Sequence, residues 1–291
     1  MKPAQLLQLV FLSFIWGSSF LFLRIAAPEF GAIPVIAVRV SIAGAVLLVP
    51  LLLAKELFLL KTHWLQIFIS GVTSSALPFT LIAYSTIHAT SGYVSILNAT
   101  VPIWSVFVVY FWIGEKPSSQ ALIGVLIGFA GVIVLNGDEI SVSESVGIWA
   151  ILSTLAATFF YALTSSHRKL YLDGVSPLAV TAGGQLFSAL ILLPLAWLYW
   201  PETMPSARAW ISTVILGVVC TAIAFLMFFR LLASVGISKT VSVAYLIPVS
   251  AVLLGFIVLD EPLTWHMMIG GSLILLGVGF TTEVIRFRRS F

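Results

Sequence analysis

Charged residues are scarce in this sequence, and their scarcity excludes a water-soluble fold. Asp, Glu, Lys and Arg make up 9% of the 291 residues and hydrophobic residues 60%, whereas roughly 25% of a soluble domain is charged. The few charges cluster in short stretches between long apolar runs. No segment remains for a water-soluble domain.

Cysteine and metal-binding patterns are also nearly absent. With Cys220 as the one cysteine, an intrachain disulfide is excluded. No Lys/Arg run with interleaved aromatics is present, so no nucleic-acid partner is predicted. We expect no metal, cofactor or catalytic residue, because the four histidines lie near the ends of apolar runs without metal-ligand spacing: His63, His88, His167 and His266.

What the sequence has instead is a series of apolar runs near 20 residues, the length of a helix that crosses about 30 Å of hydrocarbon. They predict an all-α protein with ten transmembrane helices in a lipid bilayer. The predicted helices are 4–24, 33–54, 64–87, 91–112, 119–136, 146–167, 176–199, 208–231, 240–259 and 265–285.

The Lys and Arg residues in the short connections predict the orientation, because such residues concentrate on the cytoplasmic side. With a cytoplasmic N-terminus, only Arg208 falls clearly outside. We therefore expect both termini in the cytoplasm and the chain in the inner (plasma) membrane. The inside set is Lys2, Lys55, Lys61, Lys116, Arg168, Lys169, Lys239, Arg286, Arg288 and Arg289.

The sequence repeats itself at an offset of 146 residues. Five identities share this offset: Gly71 with Gly217, Pro102 with Pro248, Glu115 with Glu261, Gly124 with Gly270, and Gly131 with Gly277. Since each unit holds five helices, an odd number, the second copy is inverted in the membrane. The predicted repeats are 1–138 and 139–291. Inverted repeats usually bind their substrate near the membrane midplane and alternate access to it.

Several motifs carry a family resemblance across nearly the whole chain. They are Trp16-Gly17-Ser18-Ser19-Phe20 in the first helix, Arg39 in the second, and the tandem Pro, Glu and Gly pattern. The sequence resembles the EamA-type members of the drug/metabolite transporter superfamily. The resemblance implies ten helices, cytoplasmic termini and a central cavity lined by an inner ring of helices. Known members move amino acids, drugs, nucleobases or other metabolites, many of them outward.

The two repeat-related prolines indicate where a central cavity lies. Pro102 and Pro248 each free a backbone carbonyl at membrane depth, which is tolerated where it faces protein or a wet cavity. Asn98, Ala99 and Tyr245 are therefore candidates for contact with a substrate. Alternatively, the prolines only shape helix packing.

Aromatic residues at matching positions of the two repeats extend this candidate site. Phe79 matches Phe225, and Trp16 lies near the position that matches Tyr161. Their faces offer stacking and cation–π contacts to an aromatic or cationic solute. In a chain with 13% aromatics, the alternative is that each packs or faces lipid.

Three charged residues are candidates for gating or for structure. Arg39, two turns into its helix, either attracts anions or anchors a neighbouring helix end. Glu115 and Glu261 lie at the ends of repeat-related helices, where they either cap the following helix, pair with a cation or act in gating. No carboxylate lies mid-helix, which weakens a proton-coupled mechanism.

These features favour a transporter that exports small metabolites, such as amino acids or amphipathic aromatic compounds. An exchanger of anionic metabolites such as sugar phosphates is a second hypothesis, disfavoured because the predicted core holds no Lys/Arg cluster. A third is a membrane receptor or scaffold without transport. The glycine-rich fifth and tenth helices either meet each other or join two chains as a homodimer.

The predicted topology is testable with a reporter fused after Phe291. We expect a fluorescent protein to be fluorescent there and alkaline phosphatase to be inactive, since both report a cytoplasmic C-terminus. An active phosphatase fusion would contradict the ten-helix topology.

Overall fold

A computed structural model describes residues 3–136, 145–236, 240, 243–282 and 284. Within these residues the secondary structure is helical throughout and ten apolar helices form one bundle, which confirms the predicted all-α fold. The helices are α1 (Pro3–Phe30), α2 (Ala32–Leu53), α3 (Trp64–His88), α4 (Ser91–Ile113), α5 (Ser119–Leu135), α6 (Ser145–Tyr171), α7 (Pro177–Leu198), α8 (Ala207–Val235), α9 (Val243–Leu259) and α10 (Trp265–Thr281).

The lengths of these helices fit a membrane. Seven are long and apolar enough to cross it, while α5, α9 and α10 are apolar helices of 17 residues. Hydroxyl side chains mark several helix starts by accepting a backbone N–H three residues on. Thr90, Ser118, Ser206 and Thr264 cap α4, α5, α8 and α10 in this way. A short helix, Leu57–Thr62, precedes α3.

Four predicted helix ends need correction. Helix α8 runs to Val235 rather than to residue 231, and α10 ends at Thr281 rather than at residue 285. Helix α1 runs to Phe30 rather than to residue 24. Helix α6 runs to Tyr171 rather than to residue 167, so Arg168 belongs to a helix and not to a connection. The first charge after an apolar run is therefore a poor marker of a helix end.

Some sequence predictions fall outside the described residues. The predicted boundary between the repeats, 138/139, is among them, as are these charged or terminal residues: Lys2, Asp138, Glu139, Lys239, Arg286, Arg288, Arg289 and Phe291.

The helix contacts follow a two-fold pattern. Helix α1 packs on α9 as α6 packs on α4, and α2 packs on α8 as α7 packs on α3. The pairs α2–α7, α4–α9 and α5–α10 map onto themselves. Exchanging each helix of α1–α5 with its counterpart in α6–α10 thus reproduces these pairs, as expected for two inverted five-helix repeats. In the described chain, however, the contacts of α1 with α2, α3 and α4 have no equally strong counterpart at α6.

Glycines bring α5 and α10 into close contact. A Cβ on Gly124 would lie 2.6 Å from the Gly277 carbonyl oxygen, and a Cβ on Gly131 would lie 2.8 Å from that of Gly270. The same offset relates 124 to 270 and 131 to 277, so the contact is itself two-fold. Of the two alternatives for these glycine faces, the structure shows packing within one chain. The homodimer stays a prediction.

Neighbouring glycines of α10 provide a test of this packing. In Gly270→Ala the new methyl would lie 2.7 Å from the Leu135 backbone nitrogen, whereas in Gly271→Ala it would lie 3.4 Å from the Ile96 side chain. We expect Gly270→Ala to lower the free energy of unfolding by about 1–3 kcal/mol and Gly271→Ala to change it by less than about 0.5 kcal/mol. Unfolding midpoints in detergent measure both, and equal midpoints would contradict the close packing.

Candidate functional site

A cavity of about 280 Å³ lies between the two repeats. Its walls come from α1, α2, α3 and α4 of the first repeat and from α6, α8 and α9 of the second. Helices α5 and α10 contribute none of its lining residues within the described chain, since they pack on each other at the periphery. The cavity is thus lined by an inner ring of helices.

Five of the seven predicted substrate-contact residues line this cavity: Trp16, Phe79, Asn98, Tyr161 and Phe225. They come from five different helices. Residues that the repeat pairs in the sequence therefore lie around the same cavity. Their role in binding stays a prediction.

The other two predicted contact residues, Ala99 and Tyr245, are not among the lining residues. Ala99 lies in a turn and is half-buried. The Tyr245 hydroxyl lies 3.3 Å from the Val278 carbonyl oxygen and also bonds the Thr282 hydroxyl, so it is held against α10. Repeat symmetry placed the backbone of Tyr245 but not its side chain.

Pro102 interrupts α4 directly beside the cavity. The helix stops at Asn98, turns through Ala99 and Thr100, and resumes at Val101. Proline has no N–H to donate, and its ring clashes with the carbonyl four residues before it, here that of Asn98. The Asn98 side chain lines the cavity at this break, and its Oδ1 is buried without a hydrogen-bond partner among the described residues. Pro248 is buried within an uninterrupted α9.

Repeat-related π turns interrupt α3 and α8. They span Val72–Ala76 and Val218–Ile223, and each begins one residue after one of the glycines of the repeat, Gly71 or Gly217. One residue of each turn, Ser74 or its counterpart Cys220, lines the cavity. Single π turns within α-helices occur frequently at functional sites.

Matching hydrogen bonds hold the two π turns. Arg39 Nε of α2 donates to Thr221 Oγ1 at 3.0 Å, and Gln185 Nε2 of α7 donates to Ser75 Oγ at 2.8 Å. Both pairs obey the 146-residue offset (185 − 39 and 221 − 75). The two repeats therefore use one bonding scheme with different side chains, a cation in the first and a neutral amide in the second.

Arg39 both anchors a neighbouring helix and borders the cavity. Its side chain is 5% exposed, its guanidinium lies 3.9 Å from the centre of the Phe79 ring, and it is among the lining residues. The anchor contacts Thr221 within a π turn rather than a helix end. Arg24 instead donates to the Thr86 and Ile87 carbonyl oxygens at the end of α3, both at 2.7 Å.

Arg168 is a cavity residue that the sequence reasoning missed. Its Nε donates to Ser70 Oγ at 2.7 Å and its Nη2 to Ser74 Oγ at 3.3 Å. Spacing along α6 carries a signal that would have found it. Residues three, four and seven apart share a helix face, and Tyr161, Thr164, Ser165 and Arg168 all line the cavity.

The two cavity arginines have no acidic partner in the described parts of the chain. The ion pair seen there joins Lys169 Nζ and Glu115 Oε1 at 3.1 Å, with both side chains about 60% exposed. None of the lining residues in the described chain is Asp or Glu. The walls of the cavity therefore carry two positive charges and no negative one.

Glu261 joins the two repeats at the start of α4. Its carboxylate accepts hydrogen bonds from Ser91 N at 2.8 Å, Ser91 Oγ at 2.7 Å and Gly92 N at 3.2 Å. Thr90 accepts the next N–H, that of Tyr93, so the first three amides of α4 are bonded. Glu261 thus caps α4 and not the following helix, α10, which Thr264 caps. Glu115 pairs with Lys169, one of the predicted alternatives.

The family of the chain follows from comparison with known sequences. The model of the EamA-like transporter family matches residues 4–137 and 148–282. The chain belongs to this family. The two matched segments correspond to the two five-helix repeats, which confirms the resemblance seen in the sequence. EamA-like proteins are multi-pass membrane transporters.

Several curated relatives match over most of their length. The uncharacterized transporter YoaV of Bacillus subtilis is 22% identical over 98% of both chains. An uncharacterized transporter of Archaeoglobus fulgidus is 23% identical over 90% of this chain and 93% of its own. A protein of Streptantibioticus cattleyicolor named probable terminal-alkyne amino-acid exporter is 26% identical, covering 90% and 88%.

The fold also matches a solved structure. A crystal structure of a protein 20% identical to this chain superposes with a TM-score of 0.68, covering 99% of this chain and all of the other. At this identity the likeness concerns the fold alone.

The cap on α4 can be tested with matched glutamine variants. Glu261→Gln removes the charge and presents an NH2 group to N–H donors, so we expect hydrogen exchange of the Ser91 and Gly92 amides to accelerate at least about tenfold. Glu115→Gln, at an exposed pair, serves as the control and should leave these amides unchanged. Hydrogen–deuterium exchange measures both, and equal protection in the two variants would contradict the cap.

Proposed function

We propose that this protein exports small metabolites, such as amino acids or amphipathic aromatic compounds, by alternating access. It resides in the inner (plasma) membrane with both termini in the cytoplasm. The central cavity receives a solute while open to one side of the membrane and releases it on the other.

The observation that carries this proposal is the shared cavity between two inverted repeats. A site whose walls come from both repeats changes its opening when one repeat rocks against the other. Trp16 and Phe225, with ring centres 6.1 Å apart, join α1 to α8 and give the cavity an aromatic wall. Aromatic walls stack well on apolar or aromatic solutes.

One of the relatives supports the proposed export of amino acids. The Streptantibioticus cattleyicolor protein is named for amino-acid export, and its match covers 90% of this chain. Because substrates vary widely among proteins of one fold, this likeness supports the solute class only through the composition of the cavity.

Exchange of anionic metabolites is the second candidate, and one observation favours it. The sequence predicted a core without clustered Lys or Arg, yet Arg39 and Arg168 both line the cavity. Guanidinium groups bind carboxylates and phosphates in a bidentate manner. This candidate shares the cavity and the alternating access of the first and differs in the solute.

Flux measurements test the proposal. In proteoliposomes, the purified protein should accelerate the flux of at least one amino acid or aromatic metabolite. Asn98→Ala should reduce that flux about tenfold, as expected for the loss of one or two hydrogen bonds to a bound solute. Trp197→Ala is the control, because the Trp197 side chain is 84% exposed on α7.

Two results would contradict this function. One is the absence of flux across a broad panel of amino acids and aromatic metabolites. The other is an equal effect of Asn98→Ala and Trp197→Ala, which would remove the cavity from the transport path.

A further inference from the structure

The Arg168 guanidinium has N–H donors without a bond to the described residues. A guanidinium offers five N–H donors, and two of its nitrogens bond the Ser70 and Ser74 hydroxyls of α3. These bonds fix the orientation of the side chain at the cavity wall. The group that lines the cavity is therefore a positioned cation with donors left over.

Hydroxyl partners cannot balance the charge of this cation. An ionised side chain removed from water is costly unless an opposite charge lies beside it. Neither Arg168 nor Arg39 has a carboxylate partner among the described residues, and no lining residue is acidic. A bound anion would supply the missing charge for both.

The two arginines differ in how they face the cavity. Arg39 is 5% exposed, lies over the Phe79 ring and bonds the π turn of α8, so it is part of the wall. Arg168 is less buried, and it lies about two turns along α6 from Tyr161. Arg168 is thus positioned to contact an acid group of a solute. Arg39, as part of the wall, adds to the positive electrostatic potential in the cavity.

The other lining residues complement the part of the solute that is not the acid group. The lining also includes the rings of Trp16, Tyr161 and Phe225. The Asn98 carboxamide has an oxygen without a partner among the described residues, and an amide at a cavity wall can accept from or donate to a polar group. The cavity therefore complements an acid group attached to an apolar or aromatic body with a further polar group.

We propose that the cavity is an organic-acid site in which Arg168 binds the carboxylate of the solute. This rests on the proposed transport function and narrows its solutes to amino acids and other aromatic or apolar acids. Amines that lack an acid group are excluded, since they would add a third positive charge to a cavity that already holds two.

A set of related solutes tests the charge requirement directly. Tyrosine, 3-(4-hydroxyphenyl)propionate and tyramine share a phenol ring, but tyramine lacks the carboxylate. Calorimetric titration of the full-length protein in an uncharged detergent should show both acids binding at least about tenfold more tightly than tyramine. Tyramine binding as tightly as the acids, or no binding of either acid, would overturn the proposal.

Variants assign the carboxylate to Arg168. Arg168→Gln should weaken both acids at least about tenfold and bring them close to tyramine. Arg168→Lys keeps the charge but loses the bidentate geometry of the guanidinium. Its affinity for the two acids should lie between those of the wild-type protein and Arg168→Gln. Lys61→Gln, at an exposed cation of the short helix Leu57–Thr62, should leave all three affinities unchanged. Unchanged acid binding in Arg168→Gln would overturn the assignment, and the ratio between acid and amine in the wild-type protein tests the charge requirement even if that variant fails to fold.

Flux of the same three solutes separates this inference from the transport function. Flux of tyramine but not of the acids in phosphatidylcholine vesicles would leave a transporter and overturn the acid site. Tight acid binding without flux of any solute would support the acid site and count against transport.

Discussion

The absence of water from the membrane interior is the constraint on which this structure depends. Every backbone N–H and C=O in hydrocarbon needs a partner within the protein, which only regular helices or closed sheets provide. The described chain meets this requirement with ten helices, and three of its departures from regular geometry border the cavity. The break of α4 at Ala99 and Thr100 and the π turns of α3 and α8 are such departures. A third π turn, Val109–Ile113 at the end of α4, contributes no lining residue to this cavity, so irregular backbone is not confined to the cavity wall.

Much of the fold could be predicted because it depends on properties that a sequence displays directly. Apolar runs of helix length gave the ten helices, and identities at one offset gave the two repeats. Symmetry then placed Phe79 with Phe225, and Trp16 with Tyr161, around one volume. Such positions follow from the backbone, which the repeat copies.

The parts that could not be predicted depend on side-chain direction and on partners distant in sequence. The place of Tyr245 near Pro248 predicts contact with a substrate, but its hydroxyl bonds α10 and its side chain is not among the lining residues. Glu261 caps a helix that begins 170 residues earlier, and no local pattern indicates such a partner. Arg168 was assigned to a connection because a charge after an apolar run resembles a helix end, although its long side chain can reach polar partners while its backbone stays helical.

The bond from Arg39 to Thr221 and the bond from Gln185 to Ser75 indicate what each repeat contributes. Their shared geometry holds the two π turns in the same way, so the repeats keep matching backbones, as movement of one against the other requires. Their chemistry differs, since the first repeat uses a cation that also lines the cavity, Arg39, and the second uses the neutral amide of Gln185, which is not among the lining residues.

The symmetry of the backbone and the asymmetry of the cavity lining thus have different roles in the proposed transport. Matching backbones let two conformations of similar energy exist, which alternating access needs. The proposed organic-acid site would give the solute a single preferred orientation, because the α1 residues among the described lining include no cationic counterpart of Arg168. A solute with one acid group would lie with that group toward α6 in both conformations, and the same charge contact would persist while the opening of the cavity changes sides.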